Sequence, residues 1–209
     1  PLFEDTVANL SIGHERSQVE IISHNNVVLV RAIKSGTKSL LDALIEGYHH
    51  EMNSAVAPTL DYAQAQKLIK DLHAHAENMT TNHPIYKLNL QQVFEFIRPA
   101  IDRLISRIEM TIKHYSVNMG KEKINRILLS GEIDFFPMVA KYIGNQLDMV
   151  KEIIDPFHPE FSKHVKDSPS VETIFDRVRY ATSIGLALSN NNHTPNLLFT
   201  YKEKDQKEK

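Results

Sequence analysis

The sequence predicts an α/β protein, and three observations carry that prediction. The first 35 residues hold three short apolar runs rich in β-branched side chains, with turn residues between them. A long central stretch repeats its apolar residues at helical spacing. After Gly120, strand-like and helix-like segments alternate, the pattern of a layered α/β architecture.

Each element has its own signal. Thr6–Ile12 is apolar-rich and β-branched, 18–23 alternates with Val19 and Ile21 on one side, and 27–33 contains three valines. Gly13 to Ser17 joins the first two runs. Asn25-Asn26 separates the last two, and asparagine tolerates the left-handed conformations of a tight hairpin. The expectation is a three-stranded antiparallel meander. Gly36 then precedes a helix in which Leu40, Leu41, Leu44, Ile45 and Tyr48 share a face, with Thr37 or Ser39 as its cap. A second helix is expected over 61–76. The segment 77–88 has no clear period. A long helix over 90–115 buries a stripe from Val93 to Tyr115, and Pro99 predicts a kink or break inside it.

In the second half, 124–129 reads as a strand and Ser130-Gly131 as a turn. A helix follows over 136–147, with Pro137 at its favoured early position. Residues 150–154 form another strand, stopped by Asp155-Pro156, and a last helix covers 171–188. Residues 201–209 are almost wholly polar and read as a linker.

Composition bounds the chemistry. The chain has 209 residues, 42% hydrophobic and 24% charged, ordinary values for a globular protein. A net charge of -2 gives no global drive toward nucleic acid or an anionic membrane. The absence of cysteine excludes disulfides, thiol catalysis and thiolate metal sites. No apolar run approaches the roughly 20 residues that span a bilayer, and no signal-peptide pattern stands at the start. The chain opens on Pro1 and enters a strand almost at once, which is expected of a piece of a longer protein.

Candidate sites are few. The 11 histidines include the adjacent His49-His50, and His73 and His75 two apart. A helical metal pair needs a spacing of three or four, so these read as solvated histidines and no metal site is expected. Asp102 and Glu109 sit among basic neighbours as a surface charge face. The 7 glycines form neither a phosphate loop nor a dinucleotide fingerprint, and no serine nucleophile elbow appears. Ser130-Gly131-Glu132 stands apart, because a strand there delivers a glycine just before a helix and allows a backbone or a flat ligand to approach closely.

In order, Ile127-Leu128-Leu129-Ser130-Gly131, Pro137, Tyr142 and Ile153-Ile154-Asp155-Pro156-Phe157 resemble the adenosine-motif region of the type IV pilus PilM family. Tyr180-Ala181-Thr182-Ser183-Ile184-Gly185-Leu186-Ala187-Leu188 resembles its closing helix, and the meander before Gly36 its second phosphate-loop hairpin. Asn196-Leu197-Leu198 is similar to the stretch where such chains stop or PilN-like sequence begins. The resemblance implies an actin-like (ribonuclease H-like) second lobe. Its mixed sheet is flanked by helices, with residues 1–50 and 90–200 as the core and 51–89 as a small inserted subdomain.

Where the family's second phosphate loop carries Asp-Ile-Gly, this chain has Ser11-Ile12-Gly13, without the carboxylate charge that works through the metal–nucleotide phosphates. Where the family has Gly-Gly, it has Gly131-Glu132, which adds bulk and negative charge. Alignment places Arg107 where a ribose-facing glutamate is usual. The resemblance therefore implies a vestigial nucleotide site of Ser11, Gly13, Arg107, Gly131 and Glu132. It implies loss of tight ATP binding, no catalytic residue and no cofactor. The implied role is a cytoplasmic scaffold at the inner membrane, similar to PilM or to the cytoplasmic GspL domain of type II secretion, linking an assembly ATPase to inner-membrane partners. Membrane contact would come through those partners or a segment outside this chain, and no nucleic acid is implied. The alternatives are the second lobe of an active actin-like ATPase, with ATP as cofactor, and a sugar-kinase-like relative. Within 51–89, the partner anchors expected are Met52, Tyr62, Ile69, Met79, Ile85 and Tyr86, unless they close a local core.

Overall fold

Period-2 alternation builds the sheet. The computed structural model describes residues 5–24, 26–52, 58–74, 80–119, 122–132, 137–157, 177–178 and 180–188. Strands β1 (Thr6–Ile12), β2 (Ser17–Ser23) and β3 (Asn26–Ile33) form the expected antiparallel meander. Two further strands, β4 (Arg126–Gly131) and β5 (Val150–Ile153), complete a mixed five-stranded sheet in the order β3-β2-β1-β4-β5. The β1–β4 and β4–β5 pairs are parallel. On one face Ala8, Leu10 and Ile12 align with Val19 and Ile21 across the β1–β2 ladder and with Ile127 and Leu129 across the β1–β4 ladder, all within the core.

Helices α1 (Thr37–Glu51) and α3 (Leu90–Asn118) pack on each other, and α3 lies against β2 and β3. Leu40, Leu41, Leu44 and Tyr48 of α1 share one cluster with Val93, Ile97, Ile101, Leu104 and Ile108 of α3. Helix α2 (Tyr62–Ala74) adds Ala65, Leu68, Ile69 and Leu72 to the same cluster. Burial pushes the Tyr48 hydroxyl pKa up; it donates to the Pro58 carbonyl at 3.0 Å, and its ring stands edge-on to Tyr86. Helix α4 (Pro137–Gln146) is tied to α3, with Phe94 against the Tyr142 ring and the Tyr142 hydroxyl donating to Asp102 at 2.9 Å. That hydrogen bond is the first cause of a raised Tyr142 pKa. Helix α5 (Ala181–Leu188) closes the described chain. The Asp155-Pro156-Phe157 segment meets the entry to α5: Phe157 packs edge-on to Tyr180, and Arg177 donates to Asp155 at 3.3 Å.

Several local expectations change. Helix α3 continues through Pro99 without a break. Proline removes one backbone hydrogen bond there, but Ile97, Ala100 and Ile101 on either side are buried and hold the axis. Among the described residues of the β2–β3 hairpin His24 is left-handed, with φ of +50°, and Asn26 already belongs to β3, while Asn25 lies outside the described residues. Neither Thr37 nor Ser39 caps α1, because the N-cap is Gly36 and no side chain bonds there. Ser130-Gly131 ends β4 as strand and is not a turn, since both residues pair with β1. The helix expected over 171–188 is interrupted by a turn at Tyr180, and its part at 171–176 lies outside the described residues, as do Asn196-Leu197-Leu198 and 201–209.

Of the expected anchors, Ile69 is buried in the core, Met52 and Tyr86 pack against it, and Tyr62 and Ile85 are exposed; Met79 lies outside the described residues. Among the described residues no helix is long and apolar enough to cross a membrane.

Helix α3 starts on a reciprocal cap: the Asn89 side chain accepts from Gln92 N at 3.0 Å, and the Gln92 side chain accepts from Asn89 N at 3.1 Å. Asn89→Ala removes half of that box. The expected loss is about 1 kcal/mol in urea unfolding, with Asn89→Ser retaining most of the stability.

Candidate functional site

The parallel β1–β4 ladder brings two distant glycine segments to one end of the sheet. Ile12 pairs with Gly131, so Gly13 and Gly131 open on the same side. Gly131 has φ of +87°, and a Cβ there would run into the Ile12 carbonyl. Only glycine lets β4 lie this close to β1 in that conformation.

The turn after β1 is fastened to the start of α1. Gly13 N donates to Arg16 O at 3.0 Å, Thr37 N to Gly13 O at 3.0 Å, and Lys38 N to His14 O at 2.9 Å. Two of the first-turn amides of α1, which a helix leaves without an internal partner, are thereby satisfied by the hairpin. Gly36 makes the approach possible, since a Cβ would meet the carbonyl oxygens of Gly13 and His14. Ser17 Oγ adds a bond to the Ser35 carbonyl at 2.7 Å.

Glu132 bridges the two segments. Its Oε2 accepts from the buried Thr37 Oγ1 at 2.8 Å and lies 3.9 Å from His14 Nδ1, while that nitrogen is 3.4 Å from Thr37 Oγ1. A carboxylate from the end of β4 thus occupies the space between the hairpin turn and the start of α1. Ser11, half-buried, faces Ser130 across the ladder one residue below this cluster.

Of the five residues the sequence marks, Ser11, Gly13, Gly131 and Glu132 come together. Arg107 stands on the exposed face of α3, and among the described residues no hydrogen bond or ion pair joins it to them. Sequence reasoning missed His14 and the contact of Thr37 with Glu132. The available signal was Gly36-Thr37 directly after a meander that turns at Gly13-His14, but nothing local shows that a residue 95 positions away completes the cluster. Of the histidines read as solvated, His49 and His50 are exposed, His73 is instead half-buried with its pKa lowered by burial, and His75 lies outside the described residues. Asp102 and Glu109 are both exposed on α3, with Asp102 taken by Tyr142.

Comparison with known proteins places these features. The profile of the family described as type IV pilus assembly protein PilM matches residues 65–191, more than half of the chain. A solved PilM-PilN type IV pilus biogenesis complex is similar at a TM-score of 0.61 and 15% identity, over 88% of this chain and 46% of that one. Ethanolamine utilization protein EutJ from Carboxydothermus hydrogenoformans is similar at 0.56 and 13%, over 88% and 49%. MreB 5 of Spiroplasma citri bound to AMPPNP is similar at 0.50 and 12%, over 89% and 55%. The fold is therefore actin-like, and the chain spans about half the length of these solved structures. No curated protein matches the chain.

The cluster makes a stability contrast. Gly131→Ala forces both a steric clash and an unfavourable φ, and is expected to cost about 3 kcal/mol or more. Glu132→Ala removes one half-exposed hydrogen bond and is expected to cost about 1 kcal/mol or less. Thermal unfolding of the two variants side by side checks the order.

Proposed function

This chain belongs to the type IV pilus assembly protein PilM family, and from that premise we propose that it is a cytoplasmic scaffold at the inner face of the bacterial inner membrane, serving a type IV pilus or type II secretion-like assembly complex. Residues 1–50 and 90–200 form the second-lobe core and 51–89 the inserted subdomain. Its partners are inner-membrane pilus or secretion proteins and an assembly ATPase, a reading supported by the solved relative that pairs PilM with PilN. It works by binding, and its nucleotide site has degenerated, with Ser11, Gly13, Gly131 and Glu132 as the vestige gathered at one corner and Arg107 apart from them on α3.

The observation that carries the degenerate site is the Glu132 carboxylate on Thr37 Oγ1 at 2.8 Å. Phosphates bind where backbone amides at a helix start are open to them. Here the amides of Thr37 and Lys38 donate to Gly13 and His14, and the neighbouring space holds a negative charge that repels phosphate. Ser11 lacks the charge through which an aspartate would act on a metal–nucleotide complex. The rival reading, one lobe of an active actin-like ATPase, draws on MreB 5, whose similar fold was solved with AMPPNP.

Calorimetry with ATP and magnesium separates the two. The expected result is no saturable binding at micromolar concentration and no phosphate release. A micromolar dissociation constant, about -8 kcal/mol of binding, supports the ATPase reading instead. Ser11→Asp combined with Glu132→Gly is not expected to restore binding in this chain, because the rest of an actin-like cleft comes from the first lobe.

A further inference from the structure

Helix α3 buries one stripe and leaves its opposite side exposed. On that side Arg103, Arg107, Met110, His114 and Val117 recur at spacings of four, three, four and three residues, which sets them in one row. Met110 is 51% and Val117 72% exposed, large values for apolar side chains one heptad apart. Lys113 borders the row. Arg31 is exposed on β3; the register pairs it with the buried Val19, on the helix-covered side of the sheet beside α3.

Arg103 and Arg107 stand apart from the acids of α3: Glu95, Asp102 and Glu109 share a neighbouring strip with Arg98 and Lys113, where Glu95 holds Arg98 at 2.9 Å and Asp102 accepts from the Tyr142 hydroxyl at 2.9 Å. Arg31, Arg103, Arg107 and Lys113 form no ion pair among the described residues, although the chain as a whole carries a net charge of -2.

We propose that this face of α3, built on Arg103, Arg107, Met110 and Val117 with Arg31 and Lys113 at its border, docks an acidic amphipathic helix of a partner protein. Guanidinium groups match carboxylates in a bidentate fork. Two apolar residues a heptad apart fit the stripe of a helix lying along this face. A lipid surface fits less well, since the face lacks the aromatic and leucine wedge of an interfacial helix and the larger lysine–arginine cluster that holds a protein to anionic lipid. The proposal rests on the scaffold reading only in requiring a partner, and it is independent of whether nucleotide binds.

The test uses synthetic probes. One is a three-heptad helical peptide with leucine at the a and d positions and glutamate elsewhere. The second carries lysine in place of glutamate. The third is phosphatidylcholine vesicles containing about one third phosphatidylserine. The protein is expected to bind the glutamate peptide saturably, with affinity falling as salt rises, and to ignore the lysine peptide. The Arg103→Glu/Arg107→Glu variant is expected to lose at least about tenfold in affinity for the glutamate peptide and to gain affinity for the lysine peptide. Arg103→Gln/Arg107→Gln supplies the loss alone, should the reversal disturb folding as read by circular dichroism. Equal binding of both peptides by the unaltered protein overturns the proposal. So does unchanged affinity in the folded Arg variants, binding to the vesicles in preference to the peptide, or binding to none of the probes. ATP calorimetry reads the scaffold hypothesis separately, so the two can fail independently.

Discussion

The parallel pairing of β1 with β4 is the contact on which the rest depends. It joins residues more than a hundred positions apart, so its loop-closure cost is met only when the intervening helices have packed. It sets the sheet order, since β2 and β3 fall on one side of β1, and β5 on the far side of β4. It also requires glycine at 131, where a side chain would strike the Ile12 carbonyl. One register therefore fixes both the centre of the sheet and the meeting point of Gly13 and Gly131.

What gathers at that meeting point is joined by internal hydrogen bonds. The hairpin carbonyls satisfy the α1 amides, Gly36 allows the contact, and Glu132 lies on Thr37. Each bond is modest by itself, on the order of 1 kcal/mol net. Together they tie the end of β4, the β1–β2 turn and the start of α1 into one unit.

Helix α3 organises the other half of the molecule. It begins on a complete capping box, passes through Pro99, and runs from α1 and α2 across β2 and β3. Its buried stripe is almost purely aliphatic, with Thr111 returning its hydroxyl to the Arg107 carbonyl at 2.8 Å. On its exposed surface Arg98 is paired with Glu95 among the acids, while Arg103 and Arg107 share a separate row with the exposed Met110 and Val117.

Much of the fold was legible in the sequence. Strand and helix periods differ, and each is written locally, so Thr6–Ile12, Leu40 to Tyr48 and the stripe from Val93 to Tyr115 appeared in the elements expected of them. The motif around Ile127 to Gly131 also carried the family, because it depends on consecutive residues. Less was legible in the site. Gly131 reads locally as a turn and becomes the end of a strand only when β1 lies beside it. Ile69 resembles a surface anchor until α2 is docked and buries it. Glu132 carries one meaning as a substitution and another as the acceptor of a hydroxyl from the start of α1. The amino-acid order determined which segments are strands and helices and which side of each is apolar, because those properties repeat within a few residues. Which carboxylate meets which hydroxyl, and which exposed residues share a face, was decided only by the tertiary structure, because those neighbours are set by a ladder and helix packing that join distant parts of the chain.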